Sequence, residues 1–200
     1  MSSPLTREEL LEGKLALIII DIQYNLTAQG HGVFKYAVEL GVREGYEYYY
    51  DRIQNSIIPN IQKLLKSFRE SEKMIVFTKI RSGSYFKNRN KSDDEGVILN
   101  EVMPTNDDII ITKNDQDIFN GTGLDSLLKE NGINTLIMAG VLTNECVQVS
   151  VLQAIENEYR VVLVEDSTAA FSEAIHQKAI DLIEDNSIII TSTEDILELL

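Results

Sequence analysis

The chain contains one cysteine, Cys146, at a position where a thiol can act as a nucleophile. It follows the apolar run Thr135–Val141, which predicts a buried strand, and precedes an apolar-periodic run that continues to Ile155. A strand that enters a helix through so short a turn places Cys146 in the first helical turn. The unpaired backbone N–H groups and the helix dipole there favour the thiolate, a strong nucleophile. A small buried hydrophobic side chain is the alternative interpretation.

Two charged residues lie at the ends of other apolar runs. Asp21 ends the run that begins at Lys14, and Lys113 follows the run that begins at Asp108. A charge at the tip of a buried strand is costly to desolvate unless a group of opposite charge pairs with it. One interpretation is a buried ion pair, which is weak evidence for stability. The other is that an acid, a base and the thiol of Cys146 converge on one point.

Apolar runs without alternation predict strands that are covered on both faces. These runs are Lys14–Asp21, Lys73–Lys79, Asp108–Thr112, Thr135–Val141, Arg160–Val164 and Ser187–Ile190. Helical patterns cover Arg7–Glu12, Tyr46–Glu70 with an interruption at Pro59, Leu124–Asn131, Asn144–Glu158, Ser172–Asp185 and Glu194–Leu199. The alternation predicts an α/β fold of three layers, α/β/α, with a six-stranded, mostly parallel sheet of Rossmann-like topology. In such sheets the ligand crevice lies beyond the carboxyl ends of the strands.

Two stretches, residues 29–45 and 81–106, are irregular and predict loops at the crevice that shape a substrate pocket. Four tyrosines follow the first loop closely: Tyr46, Tyr48, Tyr49 and Tyr50. They can belong to a lid or to a contact between subunits, since tyrosine is enriched at interfaces.

Composition limits the partners and the setting of the protein. A formal net charge of −14 and a pI near 4.5 argue against binding to nucleic acids or membrane surfaces. One cysteine cannot form an internal disulfide, and no basic stretch leads into an apolar signal segment, so we expect a cytoplasmic protein. The 200 residues, 44% of them hydrophobic, predict a single domain over residues 1–200.

The chain resembles the isochorismatase-like cysteine hydrolases, and the resemblance covers most of its length. Leu17–Gln23 is similar to the first-strand motif that ends in Asp-x-Gln. Lys113–Leu124 is similar to the lysine motif, and Gly140–Val147 to the nucleophile motif, which Asp166–Phe171 follows. Three ordered motifs with family-like spacing are a specific signal.

The resemblance implies a catalytic triad of Asp21, Lys113 and Cys146. In this interpretation the backbone N–H groups of Leu142 and Cys146 bind the oxyanion. The resemblance also implies a cis peptide bond between Val141 and Leu142, in the turn before the nucleophile.

The resemblance implies no metal and no other cofactor. Nicotinamidases of the family bind a metal through histidines, whereas the corresponding stretch here, residues 78–84, has none. His31 and His176 are predicted in a loop and on a surface helix, without ligand spacing. Three further residues are candidates for substrate binding: Gln23, which can instead tie loops together, Arg81, and Phe119, which can instead pack against the lysine loop.

The leading functional hypothesis is a metal-free cysteine hydrolase that cleaves a C–N bond of a small amide or ureido compound through a thioester. A hydrolase of ethers or esters of the isochorismatase kind is the alternative within the same fold. A catalytically inactive binding subunit is the alternative from another class. The resemblance also implies a homo-oligomer, a dimer or a tetramer.

Overall fold

The computed structural model describes residues 14–29, 31–32, 46–81, 96–184 and 188–200. Within these ranges six strands form one sheet: β1 (Leu15–Ile20), β2 (Met74–Ile80), β3 (Ile109–Lys113), β4 (Thr135–Val141), β5 (Arg160–Ala169) and β6 (Ile189–Thr191). The strand order is β3-β2-β1-β4-β5-β6, and all neighbouring strands are parallel. The predicted six-stranded parallel sheet is confirmed. The predicted helix Arg7–Glu12 and most of the two irregular stretches lie outside the described residues.

Helices cover both faces of the sheet, so the predicted three layers are confirmed. The α-helices of the described ranges are α1 (Tyr24–Thr27), α2 (Glu47–Arg52), α3 (Ile58–Glu70), α4 (Leu124–Glu130), α5 (Gln148–Glu156), α6 (Glu173–Glu184) and α7 (Thr193–Leu199). Helices α2, α3 and α7 pack on one face, and α4, α5 and α6 pack on the other. None of these helices is long and apolar enough to cross a bilayer.

Strand β1 shows why a central strand has no polar alternation. Leu15, Leu17 and Ile19 belong to the apolar cluster on one face of the sheet. Ala16, Ile18 and Ile20 belong to the cluster on the other face. Each fully buried leucine or isoleucine contributes roughly 1.5–3 kcal/mol to folding.

Strand β3 does not match the uniform burial predicted for it. It lies at an edge of the sheet, and its side chains alternate, so that Ile110 is 46% exposed. An edge strand has only one neighbour, and here only one of its faces is well covered. The sequence pattern of a run of isoleucines does not distinguish this position from a central one.

The predicted long helix Tyr46–Glu70 is confirmed as two α-helices, α2 and α3, joined by the π-helical turn Ile53–Ile57. Pro59 is the second residue of α3. Proline has no backbone N–H, so Pro59 cannot donate to a carbonyl one turn earlier. The wider π-helical turn before it accommodates this missing hydrogen bond. The predicted apolar face is buried throughout: Ile53, Ile57, Ile61, Leu64, Leu65 and Phe68.

The tyrosine-rich segment is partly a core element. Tyr49 is fully buried, its hydroxyl donates to the carbonyl of Leu26 at 2.8 Å, and its ring lies 5.2 Å from that of Phe171. The interpretation as a lid or a subunit contact is therefore wrong for Tyr49. Tyr48 is half-buried, and a subunit contact there stays a prediction.

Strand β5 contains a bulge that the α2–α3 segment holds in place. The β4–β5 register shifts between Met138 and Gly140. Three side chains spaced four residues apart, Arg52, Ser56 and Asn60, donate to backbone carbonyls of the bulge. The accepting carbonyls belong to Glu165, Asp166 and Thr168. The carbonyls of Glu165, Asp166 and Thr168 therefore have side-chain donors, and these hydrogen bonds hold this part of β5 in place.

Candidate active site

The ends of three strands bring Asp21, Lys113 and Cys146 together. Asp21 follows β1, Lys113 ends β3, and Cys146 lies in the turn after β4. Nζ of Lys113 lies 2.7 Å from Oδ2 of Asp21, and the thiol of Cys146 is close enough to both side chains for them to shift its pKa. Strands β1 and β4 flank the point where the strand order reverses, the usual place for a ligand crevice in a doubly wound sheet. The side chains of Asp21, Lys113 and Cys146 therefore converge as predicted.

The ammonium of Lys113 has three oxygen acceptors around it. Besides Oδ2 of Asp21, it donates to the carbonyls of Asp115 at 3.0 Å and Gln116 at 3.1 Å. Two of its three N–H donors thus have carbonyl acceptors, and the carboxylate of Asp21 balances its charge as an ion pair. Since Lys113 is fully buried, these acceptors replace the water that the charge has lost.

Asp21 is held in an unusual backbone conformation. Its φ of 55° lies in the left-handed region, which is uncommon for residues other than glycine. The backbone N–H of Asp21 donates to the carbonyl of Thr78 at 3.1 Å, and the hydroxyl of Thr78 donates to Oδ1 of Asp21 at 3.3 Å. Non-glycine residues in this region cluster at functional sites because the surrounding structure has to enforce them. Thr78 is not predictable as a partner of Asp21 from the sequence, because it lies on the neighbouring strand and no local pattern marks it.

Gly140 lets β1 and β4 approach closely just before the site. Gly140 pairs with Ile20 in the register, and its φ is 124°. A Cβ atom at Gly140 would lie 2.1 Å from the carbonyl oxygen of Ile20, inside any possible contact distance. Only glycine allows this approach, and the approach fixes the distance between Asp21 and the nucleophile turn.

The nucleophile turn is Thr143–Val147, between β4 and α5, and it is less regular than predicted. The peptide bond between Val141 and Leu142 is cis, as the resemblance implied. The turn has π-helical hydrogen bonding, and Glu145 within it has non-helical dihedrals of −129° and −107°. The N–H groups of Glu145 and Val147 both donate to the carbonyl of Leu142. Cys146 therefore lies in a distorted turn before the regular helix, instead of in the first turn of an α-helix.

The two partners of the ion pair influence each other's pKa. Burial raises the pKa of Asp21 above its ordinary value of 3.8 by more than Lys113 lowers it. Burial alone would lower the pKa of Lys113, but the charge of Asp21 and the nearby Cys146 raise it, and the net direction is upward. Lys113 thus stays cationic, while Asp21 is a stronger base than an exposed aspartate.

The prediction of a thiolate at rest is wrong. Burial, followed by the negative charge of Asp21, raises the pKa of Cys146 to about 12, although Lys113 opposes both effects. Cys146 is only 4% exposed, and the helix dipole is too weak to offset this loss of solvation. The thiol is therefore protonated at neutral pH, and a base has to remove its proton during attack.

His176 is also misplaced in the sequence-based prediction. It was expected on a surface helix, but it lies on the inner face of α6 and is only 3% exposed. Its Nδ1 lies 2.9 Å from Oγ1 of Thr143, and its Nε2 lies 2.6 Å from Oε1 of Glu165. Ala179, Ile180 and Ile183 share the buried face of α6 with it. Their spacing of three, four and seven residues from His176 is the signal that predicts its burial.

The two histidines have separate surroundings. The ring of His31 contacts that of Tyr24 at 5.3 Å, whereas His176 lies behind the nucleophile turn. In the described part of the chain, no group of three or more His, Cys, Asp or Glu side chains is arranged to hold a metal ion.

A family model agrees with this geometry. The model described as the isochorismatase domain matches residues 15–195, which include all three converging side chains. The chain belongs to the isochorismatase family. The resemblance noted from the three motifs is thereby confirmed, and the protein is an isochorismatase-like hydrolase.

Two relatives illustrate where the chain stands within the isochorismatase family. The isochorismatase family protein YrdC of Bacillus subtilis is 28% identical over 165 residues, which are 80% of this chain and 76% of that protein. The ureidoacrylate amidohydrolase RutB of Agrobacterium fabrum is 38% identical over 71 residues. That match covers 36% of this chain and 31% of RutB, so this chain aligns with only about a third of RutB.

Solved structures share the isochorismatase fold. An isochorismatase-like hydrolase from Alkaliphilus metalliredigens superposes with a TM-score of 0.76 and 23% sequence identity. The superposition covers 94% of this chain and 96% of that one. At this identity the comparison shows the fold and its strand order only.

Gln23, proposed as a substrate contact, pairs with backbone. Its Nε2 donates to the carbonyl of Ile80 at 3.1 Å, and its Oε1 accepts from the N–H of Ile80 at 2.7 Å. Gln23 also forms an isolated bridge with Ile98. These contacts correspond to the loop-tying role that was the alternative for Gln23, and a substrate contact of Gln23 stays a prediction.

Arg81 and Phe119 differ in how they relate to the site. The backbone N–H of Arg81 donates to the carbonyl of Lys113 at 2.9 Å, and its exposed side chain keeps substrate binding as a prediction. The ring of Phe119 stacks on Tyr159 at 6.0 Å and packs against the apolar cluster of the α4–α6 face. Phe119 thus has a packing role, and a substrate contact of this partly buried ring stays a prediction.

Proposed function

We propose that this protein is a cysteine hydrolase that cleaves the C–N bond of a small amide or ureido compound. The observation that supports the proposal most directly is the position of the Cys146 thiol, which lies beside the buried ion pair of Asp21 and Lys113, close enough for both to shift its pKa. A nucleophile, a base and a fixed cation are the parts that acyl transfer through a covalent intermediate needs.

In the first half of the proposed reaction, the carboxylate of Asp21 takes the thiol proton while Sγ of Cys146 attacks the carbonyl carbon. The S–C bond forms and the carbonyl oxygen becomes an oxyanion. The backbone N–H groups of Leu142 and Cys146 are the proposed oxyanion donors. When the tetrahedral intermediate collapses, the C–N bond breaks, and the proton from Asp21 passes to the departing nitrogen as ammonia or an amine leaves.

In the second half, Asp21 is again a carboxylate and deprotonates a water molecule that attacks the thioester. The second tetrahedral intermediate expels the sulfur of Cys146, which regains the proton from Asp21. Lys113 does not give up a proton in this sequence, because it donates to the carbonyls of Asp115 and Gln116, is paired with Asp21, and has a raised pKa. Its charge stabilises the negative charge that moves among Asp21, Cys146 and the oxyanion.

The proposed reaction uses no metal, and the surroundings of His176 support this. Both ring nitrogens of His176 already have protein partners, Thr143 and Glu165. Charge stabilisation next to Cys146 comes from Lys113, which supplies the positive charge that a metal ion provides elsewhere.

Polar atoms near the crevice support a small polar substrate. The side-chain amide of Asn25 is buried and finds no hydrogen-bond partner among the described residues, and neither does Oδ1 of Asn144. Asn25 lies in α1, four residues after Asp21, and Asn144 lies in the nucleophile turn. Such orphaned groups call for an explanation, and an amide or ureido group with its own donors and acceptors can satisfy them. RutB, an amidohydrolase by name, has this kind of substrate.

The test is a hydrolysis panel with the purified protein and its Cys146→Ala and Asp21→Asn variants. Ammonia release from ureido acids, biuret and nicotinamide is measured beside cleavage of isochorismate and simple esters. We expect turnover of at least one ureido or amide compound, loss of at least about a thousandfold in both variants, and unchanged turnover after chelation.

Three results would contradict the proposal in different ways. Turnover of isochorismate that survives Cys146→Ala would favour the ether hydrolase. Binding of a compound without turnover would favour an inactive binding subunit. Loss of activity with a chelator and recovery with an added divalent metal would exclude the metal-free reaction.

A further inference from the structure

A buried chain of side chains leads from the nucleophile turn into the body of the protein. Thr143, the first residue of that turn, is fully buried, and its Oγ1 lies 2.9 Å from Nδ1 of His176. Nε2 of His176 lies 2.6 Å from Oε1 of Glu165, to which Arg52 also donates through Nη2. The chain therefore links the nucleophile turn, α6, β5 and α2.

The partners of His176 determine which atoms donate. Hydrogen bonds from His176 and Arg52 lower the pKa of Glu165, so Glu165 is a carboxylate and accepts from Nε2–H. In the neutral imidazole, Nδ1 is then an acceptor, and the hydroxyl of Thr143 donates to it. In this tautomer Thr143 donates to His176 and His176 donates to Glu165, so the guanidinium of Arg52, whose Nη2 also lies 3.1 Å from Nε2, donates to Glu165 and not to the imidazole.

The far end of this chain is firmly anchored. Arg52 donates from Nε to the carbonyl of Thr168 at 2.8 Å and from Nη2 to the carbonyl of Glu165 at 3.0 Å. Both carbonyls belong to the bulge of β5 that the α2–α3 segment holds in place. Glu165 therefore has a fixed position against which His176 can hold the nucleophile turn.

The near end of the chain acts on backbone, because Thr143 cannot reach a substrate. Thr143 is fully buried and directly follows Leu142, and the carbonyl of Leu142 accepts from Glu145 and Val147. A contact that restrains Thr143 restrains the peptide groups on both sides of it, which carry the carbonyl of Leu142 and the N–H of Asn144. The N–H of Leu142 belongs to the preceding peptide group and is restrained through the Cα atom that it shares with that carbonyl. The thiol of Cys146 has separate restraints, Asp21 and Lys113.

We propose that His176 is a positioning residue that, through Thr143, holds the backbone N–H groups of Leu142 and Cys146 in place for the oxyanion. The inference rests on the proposed function, because it presumes that these N–H groups bind an oxyanion formed at Cys146. It assigns to His176 a role in acyl transfer and no role in the reactivity of the thiol itself.

Two small electrophiles separate these roles. p-Nitrophenyl acetate acylates the thiol: the S–C bond forms, the proton passes to Asp21, p-nitrophenolate leaves, and an oxyanion forms on the way. Iodoacetamide alkylates the same sulfur with loss of iodide and forms no oxyanion. The rate of the p-nitrophenolate burst and the rate of alkylation are therefore measured for each variant at one pH.

The variants remove one hydrogen bond at a time. Thr143→Val keeps the shape of the side chain and removes the hydroxyl. His176→Asn places an amide oxygen near the position of Nδ1 and keeps the contact with Thr143, whereas His176→Gln keeps the contact with Glu165 and loses the one with Thr143. The matched control is Thr193→Val, which removes another fully buried, hydrogen-bonded hydroxyl, on the far side of the sheet.

We expect Thr143→Val and His176→Gln to slow the acylation burst by about 10- to 100-fold, while alkylation changes by less than about threefold. His176→Asn should retain most of the burst, and Thr193→Val should be within about twofold of the wild type. In the double variant Thr143→Val with His176→Gln, the acylation burst should be no slower than in either single variant, because both changes remove the same hydrogen bond. If Thr143→Val does not fold, the comparison of His176→Asn with His176→Gln shows whether fast acylation needs the hydrogen bond to Thr143.

An unchanged burst in both Thr143→Val and His176→Gln would overturn the inference. So would equal losses in acylation and alkylation, or equal bursts from His176→Asn and His176→Gln. Failure of the proposed function gives another pattern, in which the wild type shows the burst and the expected variant effects but hydrolyses no amide or ureido compound. If the wild type shows no burst beyond that of Cys146→Ala, both proposals fail.

Discussion

The carboxylate of Asp21 and the ammonium of Lys113 lie 2.7 Å apart, although β2 separates their two strands in the sheet. The long lysine side chain reaches across the end of β2 to make this contact. A buried ion pair adds little net stability, because desolvation offsets its attraction, yet removing one partner is costly. The position of the pair beside Cys146 is better explained by the reaction than by stability.

Removing the positive charge from this pair should destabilise the protein strongly. In Lys113→Met, Asp21 stays buried without its cation, and we expect the free energy of unfolding to fall by about 3–5 kcal/mol in urea titrations. The double variant Asp21→Asn with Lys113→Met should lose less than the sum of the two single changes, because it leaves no buried charge unpaired.

The control for that experiment is the surface pair of Lys129 and Asp125, whose side chains are 55% and 37% exposed. Lys129→Met should change the free energy of unfolding by less than about 0.5 kcal/mol. Similar costs for Lys113→Met and Lys129→Met would contradict the buried ion pair.

Alkylation of Cys146 should be slow at mildly alkaline pH. Because burial and Asp21 raise the pKa of this thiol to about 12, its thiolate is scarce at pH 8. With allowance for the higher nucleophilicity of a more basic thiolate, iodoacetamide should react about 10- to 100-fold more slowly than with a free thiol of pKa near 8.5. Unfolding the protein in urea should restore the ordinary rate. Alkylation with a midpoint below pH 8.5 in the folded protein would refute the protonated thiol.

The pH dependence of hydrolysis should follow Asp21. The raised pKa of Asp21 means that the carboxylate, which accepts the thiol proton, is lost at a higher pH than for an ordinary aspartate. We therefore expect kcat/KM to rise with pH through a midpoint above 3.8. No fall should follow up to about pH 10, because Lys113 titrates above 10.5 and Cys146 near 12. An alkaline fall between pH 7 and 9 would show that another group controls the reaction.

Replacement of Gly140 should affect both folding and catalysis. Gly140→Ala places a Cβ 2.1 Å from the carbonyl oxygen of Ile20 and requires an unfavourable φ of 124°. We expect a loss of at least about 3 kcal/mol in the free energy of unfolding, together with loss of activity as β1 and β4 separate. Gly121→Ala is the control, because its φ of 66° is strained but nothing lies within 4 Å, so its cost should be about 1–2 kcal/mol. Equal costs at the two sites would mean that the close approach of β1 and β4 is unimportant.

The convergence of Asp21, Lys113 and Cys146 was predictable because parallel strands place their carboxyl ends at one edge of the sheet. Apolar runs located those ends to within a residue for β1 and β3. The extent of β5 was less predictable. Its bulge depends on donors from Arg52, Ser56 and Asn60, and tertiary contacts of this kind leave no periodic signal in the strand itself.

Two errors share a cause, which is that burial depends on what packs against a segment. The thiolate predicted for Cys146 rested on its place in the chain, whereas its protonation depends on the loss of solvent and on the charge of Asp21. His176 was read as exposed because it is polar, although its spacing with Ala179 and Ile183 places it on the apolar face of α6. A polar residue within an apolar stripe is a candidate for an internal hydrogen-bond network.

The three oxygens around Nζ of Lys113 have a consequence for what the site accepts. They belong to Asp21, Asp115 and Gln116 and lie 2.7, 3.0 and 3.1 Å from one nitrogen atom, an arrangement that suits a compact ammonium and not a larger planar guanidinium. The surroundings of Lys113 therefore select the cation by shape as well as by charge. An arginine at this position would not fit, although its side chain carries the same positive charge.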